Sequence, residues 1–181
     1  MELFYPEPEV TDGVVRLRRW LLADTECVRL AATDERIPQD TSVPAVFTAD
    51  AGRAFVERQW SRVESGEGVA LALTDAATGE AVGHVYIGVR PQTGVVGLGY
   101  WVIPDARGRG FATRAASLAA AWALGPLGAD RVEAWVVPEN EPSLRTLASA
   151  GFKREGVLRS FLAIGGERTD MVVWSRLATD S

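Results

Sequence analysis

Cysteine and histidine are almost missing: Cys27 is the only thiol and His84 the only imidazole among 181 residues. A lone cysteine excludes an internal disulfide, and the two residues together supply neither a thiolate cluster nor a histidine-rich zinc centre, so no metal is expected. Cys27 itself reads as a small buried hydrophobe. An excess of positive charge is missing too. With 19 basic and 24 acidic side chains the formal net charge is −5 and the pI about 5.0, which removes the broad field that holds a phosphodiester backbone. No nucleic-acid partner is expected. No apolar run approaches the ~18 uninterrupted residues of a membrane span. The first nine residues, with two prolines and three acids, have no basic region followed by an apolar stretch. No membrane partner and no secretion are expected, and a cytoplasmic location is.

What is there suits one folded domain. The chain is 47% hydrophobic, and its length matches a single domain at ~150 residues each, enough to bury a full core. Val14 to Arg18 alternates apolar and basic residues as a half-buried strand, and Leu21 to Thr33 then carries apolar residues at helical spacing. Asp34 to Thr48, with Pro38 and Pro44, reads as a loop near a binding cleft. Asp50 to Glu64 reads as a helix capped by Asp50. Val69–Thr74, Ala81–Val89 and Val95–Val102, separated by glycine-bearing turns, predict an antiparallel meander. Phe111, Ala115, Leu118, Ala119 and Trp122 predict a helix closed by Gly125-Pro126, and Arg131 to Val137 returns to strand character, a βαβ unit. A helix from Glu141 to Gly151 and two strands, Phe152–Ser160 and Arg168–Leu177, complete the chain, with Gly165-Gly166 as the turn. The six tryptophans are mainly core or cleft residues, and only Trp101 has a position that suggests function.

The informative stretch runs from Gly99 to Arg114: a strand, a short loop bearing glycine and arginine, then a helix. Glycines let the main chain turn sharply and approach a ligand, and free amides and the helix dipole favour an anion there. Arg107 and Arg109 add charge for hydrogen bonds to it. By physics alone this is a phosphate cradle, with the phosphate left open; the bland alternative is a surface turn that opens a helix. The Walker pattern fails because no Lys-Ser or Lys-Thr follows Gly110. Gly108 and Gly110 begin a dinucleotide fingerprint, but the spacing to a third glycine is not met and Arg114 follows instead.

Arg107-Gly-Arg-Gly110-Phe-Ala112 resembles the pyrophosphate loop of the GNAT N-acetyltransferases, Arg/Gln-x-x-Gly-x-Gly/Ala, and Val102-x-Pro104 stands where that family's pantetheine-binding strand enters it. Asn140-x-x-Ser143 followed by Ala150-Gly151-Phe152 is similar to the family's next motif. Gly165 to Ser175 together with Gly99-Tyr-Trp resembles the RimJ/RimL-like branch, from which Arg114 departs where glutamate is common. The resemblance spans about Val14 to Leu177. It implies an α/β (α+β) fold, a mixed and mostly antiparallel central sheet flanked by helices, as one domain over residues 1–181. It implies acetyl-CoA as co-substrate, held in a V-shaped gap between the strands at 95–102 and 131–137, with an amine attacking the thioester directly. On that pattern Trp101, Val102 and Ile103 pair with the pantetheine amides, and the Val102 amide stabilises the oxyanion. Arg107, Gly108, Arg109, Gly110, Phe111, Ala112 and Thr113 hold the diphosphate, and Asn140 and Ser143 complete the cofactor site. Ser143 is the expected catalytic donor to the departing thiolate. The bland reading makes Ser143 and Asn140 only helix-end residues.

An alkyl amine with a pKa of ~10.4 must lose a proton before it attacks, whereas an N-terminal amine at ~8 needs less help. His84, Glu133 and Glu155 are candidate bases, with water as an equal alternative; His84 reads first as a quietly packed strand residue. The expected acceptor is a protein N-terminus or a small-molecule amine, shaped by Asp34 to Thr48 and the last hairpin. The expected assembly is a monomer or homodimer. A non-catalytic CoA-binding or sensing domain would keep the same loop without turnover, and a protein for NAD or ATP is a third reading.

Overall fold

Stretches with the period of two and of 3.6 residues become, in a computed structural model, one eight-stranded sheet with helices packed against it. The structure describes residues 1–180. In chain order the elements are β1 (Val10–Thr11), β2 (Val15–Arg19), α1 (Thr25–Ala31), α2 (Ile37–Asp40), α3 (Ala49–Glu64), β3 (Gly68–Asp75), β4 (Ala81–Val89), β5 (Val95–Val102), α4 (Phe111–Leu124), β6 (Arg131–Val136), α5 (Glu141–Ser149), β7 (Lys153–Ile164) and β8 (Glu167–Leu177). The strands lie in the order β1-β2-β3-β4-β5-β6-β8-β7. Every neighbouring pair is antiparallel except β5 with β6. The fold is therefore the expected mixed, mostly antiparallel α/β sheet flanked by helices.

Local differences from the sequence expectations have local causes. Thr48, not Asp50, caps α3: its extended backbone lets the side-chain oxygen accept from the Ala51 amide at 3.1 Å, while Asp50 lies inside the first turn, where a carboxylate meets the helix dipole. The proline-bearing loop contains a one-turn helix, α2, because Asp34 Oδ1 accepts from the amides of Arg36 and Ile37 at 2.9 and 3.0 Å and Pro38 suits a first turn. β1 is too short to show a period. β7 and β8 run further toward each other than expected, joined by a two-residue turn in which Gly165 and Gly166 have φ of 59° and 88°, the left-handed pair that matches strand twist.

The core divides over two faces of the sheet. Phe55 of α3 packs edge-on against Trp20 and close to Trp101 and His84, which places α1 and α3 on the face that Trp101 shares. Successive strand residues alternate, so Tyr100 faces the other side, where it reaches α5 and where α4 covers β5. β5 and β6 pair only from Val95↔Arg131 to Gly97↔Glu133. Beyond that, β5 stays with β4 up to Val102 and β6 stays with β8 up to Val136. Each strand is held by its antiparallel partner, so the parallel pair opens into a wedge. No helix among the described residues is long and apolar enough to cross a membrane.

Candidate active site

The wedge leads directly into the glycine-arginine loop. After Val102 a single 3-10 turn, Pro104–Ala106, carries the chain to Arg107. Gly108 and Gly110 take φ of 75° and 77°, a region that costs an L-residue about 1–2 kcal/mol. Space is open around both, so conformation rather than crowding asks for glycine. Gly110 opens α4 without a side-chain cap, and no acidic residue sits in the first turn. The amides of residues 108–113 find no protein acceptor among the described residues. An ordinary helix start leaves four such donors; here six in sequence stand unpartnered at the positive end of the dipole. Water can satisfy exposed amides, and the dipole favours an oxyanion in its place.

The arginines of the loop act mainly as braces. Arg107 donates from Nε to the Val102 carbonyl at 3.1 Å and pairs through Nη2 with Asp34 at 2.7 Å. Arg109 pairs with Asp75 at 2.8 Å and lies 4.4 Å above the Phe111 ring. Arg114 pairs with Asp12 at 2.7 Å. Arg107 and Arg109 thus each pair with one carboxylate of the protein, Asp34 and Asp75, and both side chains stay half-exposed beside the main-chain donors of the loop.

Hydrogen-bond direction separates the strand residues. The Ile103 amide donates to the Val82 carbonyl at 3.0 Å, and in an antiparallel ladder a residue turns both its main-chain groups to one neighbour, alternately. Trp101 and Ile103 therefore address β4, while Tyr100 and Val102 turn their amides toward the wedge. Of the three strand residues expected there, Val102 alone offers an amide to the gap, and Tyr100 joins it. The Trp101 side chain is buried, stacked on His84 with ring centroids 5.6 Å apart.

Ser143 sits in the first turn of α5, at the other side of the wedge. Asn140 caps that helix through Oδ1, which accepts from the Ser143 amide at 3.3 Å. Ser143 Oγ lies 2.7 Å from the Tyr100 hydroxyl, which also reaches the Ser143 carbonyl at 3.3 Å, so Tyr100 ties β5 to α5. Burial raises the Tyr100 pKa, with hydrogen bonds from Ser143 and Thr146 opposing it; the phenol stays protonated at neutral pH. Tyr100 was not singled out by spacing, although Gly99-Tyr-Trp contained it.

The three candidate bases are all engaged. His84 accepts from the Trp20 indole at Nδ1, 3.1 Å away, and burial pushes its pKa down to about 3. Hydrogen bonds from Arg131 and Ser175 hold Glu155 at about 2. Glu133 accepts at Oε1 from Arg131 at 2.8 Å and at Oε2 from the Trp135 indole at 3.2 Å. Neither His84 nor Glu155 has the near-neutral pKa of an efficient base. No group of three His, Cys, Asp or Glu among the described residues is arranged to hold a metal ion.

Comparison with known proteins agrees with this geometry. Residues 15–153 match the acetyltransferase (GNAT) domain. The chain is 29% identical over 136 residues to the probable N-acetyltransferase YjcK of Bacillus subtilis, covering 74% of this chain and 75% of that one. It is 25% identical over 178 residues to the N-acetyltransferase p20 of Bacillus licheniformis, covering 98% and 97%. Among solved structures, Mycobacterium smegmatis RimJ in complex with CoA-disulfide superposes with a TM-score of 0.79 at 25% identity, over 93% of this chain and 84% of that one.

Proposed function

The chain belongs to the GNAT family of acetyltransferases, and from that premise we propose that it transfers acetyl from acetyl-CoA to the α-amino group of a peptide or protein, with Ser143 as hydrogen-bond donor to the leaving thiolate. The activity is N-acetyl transfer with acetyl-CoA. The observation that carries the assignment of the site is the run of six unpartnered amides at residues 108–113 beside the open end of β5. A diphosphate fits it: the donors are main-chain, the dipole points at them, and the αL glycines keep side chains out of the way.

When bound, acetyl-CoA supplies an activated acyl group as a thioester. The Val102 amide, turned into the wedge, is placed to stabilise negative charge building on the carbonyl oxygen. Ser143 would donate a hydrogen bond to the departing sulfur, and the thiolate, with a thiol pKa of ~8.5, would take up its proton from solvent as CoA leaves. Tyr100 orients that hydroxyl and stays protonated beside it. Proton removal from the amine falls to water, since His84 is neutral and buried and Glu155 is a very weak base. That favours an acceptor of modest pKa. An α-amino group at ~8 is partly free at neutral pH, whereas a lysine side chain at ~10.4 is not.

Calorimetry with acetyl-CoA, followed by CoA release against free-amine peptides and alkyl amines, tests the proposal. Ser143→Ala is expected to lower kcat by about 10- to 100-fold with acetyl-CoA affinity within about twofold. An unchanged kcat would remove Ser143 from the chemistry, and turnover of alkyl amines alone would remove the α-amino acceptor.

A further inference from the structure

An arginine on the Trp101-bearing face has a guanidinium with no hydrogen-bond acceptor among the described residues. Arg90 follows β4 and folds back across β5, and its guanidinium carbon lies 3.6 Å from the Trp135 ring centroid. Its Nε is shut off from solvent and has no acceptor, and none of its guanidinium donors forms a hydrogen bond or ion pair among the described residues. Glu133 is the acid that favours its charge, yet both Glu133 oxygens are spent, on Arg131 and on the Trp135 indole; Arg131 in turn holds Glu155. The cleft beside Arg90 has a volume of about 350 Å³, with Tyr86, Gly88, Gly97 and Gly99 among its lining residues. The bare Gly97 leaves room for it: a Cβ there would lie 2.5 Å from the Arg90 guanidinium and push it aside. Register puts Gly97 level with Glu133 at the throat of the wedge, two residues before Trp135.

A desolvated cation with unused donors costs stability, while a guanidinium held flat on an indole is a preorganised fork for an oxyanion. We propose that Arg90, stacked on Trp135, binds a carboxylate of the acceptor, so that the preferred substrate carries an acidic group at a set distance from its reacting amine. The proposal rests on the peptide-acceptor reading above. Val102 lies five residue steps beyond Gly97 along the strand, roughly 16 Å at ~3.3 Å per residue, the reach of four to five extended peptide residues. The neighbouring ion pairs leave no large net field, so recognition depends on directed N–H donors.

The test uses C-terminally amidated peptides identical but for Glu or Gln at position 3, 4 or 5. The wild type is expected to favour Glu at one of these positions by about tenfold in kcat/KM, expressed in KM, the worth of ~1.4 kcal/mol. Arg90→Gln brings the ratio to within about twofold, and Gly97→Ala does the same by displacing the guanidinium; thermal midpoints establish that both variants are folded. Equal rates for Glu and Gln at all three positions, or an unchanged ratio in Arg90→Gln, overturns the proposal. Should no peptide be acetylated while acetyl-CoA binds, it is the peptide-acceptor reading that fails. Titration of glutarate against glutaramide into the acetyl-CoA-saturated protein then decides the anion site: binding of glutarate alone, lost in Arg90→Gln, supports it, and no difference between the two overturns it.

Discussion

At the scale of single residues, hydrogen-bond partners decide which polar groups are free to act. His84 carries the only imidazole, yet Trp20 donates to it and burial holds its pKa at about 3. In the unfolded chain the same group titrates near 6.5. As pH falls below 6.5 the unfolded state takes the proton first, so this contribution to stability is full above 6.5 and drains away toward 3. Denaturant midpoints measured from pH 7 to 5, above the carboxylate range, are expected to fall with a slope approaching one proton, about 1.4 kcal/mol per pH unit. His84→Gln, which keeps an acceptor for the indole, removes that slope. Equal slopes in both proteins would mean that the imidazole is open to water.

At the scale of elements, the loop from Arg107 to Gly110 and the first turn of α4 work as one unit. Two left-handed glycines turn successive amides outward, and the strand before them is pinned to the loop by Arg107 on the Val102 carbonyl. Gly110→Ala forces an L-residue into φ near 77°. The expected cost is about 1 kcal/mol or more in folding stability and roughly tenfold in acetyl-CoA affinity, read by thermal denaturation and calorimetry. A variant of full affinity would show that the amides do not depend on this conformation. The motif was legible in the sequence because it is local and contiguous. The destinations of Arg107 and Arg109 were not, because Asp34 and Asp75 lie far away along the chain and arrive only through the sheet and the α1–α2 connection.

At the scale of the whole molecule, the sheet joins two jobs. Asp34 caps the entry to α2 and grips Arg107, so the loop expected to meet the acceptor and the loop proposed to hold the diphosphate share one side chain. Asp34→Asn is expected to raise KM for acetyl-CoA and for the acceptor together, by about fivefold each for a partly exposed ion pair worth ~1 kcal/mol. Asp75→Asn, which loosens only Arg109, raises the acetyl-CoA value alone. Steady-state kinetics with each substrate varied separately distinguishes the two, and an effect of Asp34→Asn on one substrate only would uncouple the loops.

The order of strands and helices, the phosphate-type loop and the Asn140-Ser143 pair are written in contiguous residues, where backbone propensity and hydrophobic period act over a few positions at a time. Ile103 and Trp101 turning their amides to β4, Tyr100 meeting Ser143 and Arg90 lying over Trp135 are decided only when strands pair. Register and the splay of β5 from β6 set which face and which neighbour each group meets. Those are relations between distant segments, and no short window of sequence contains them.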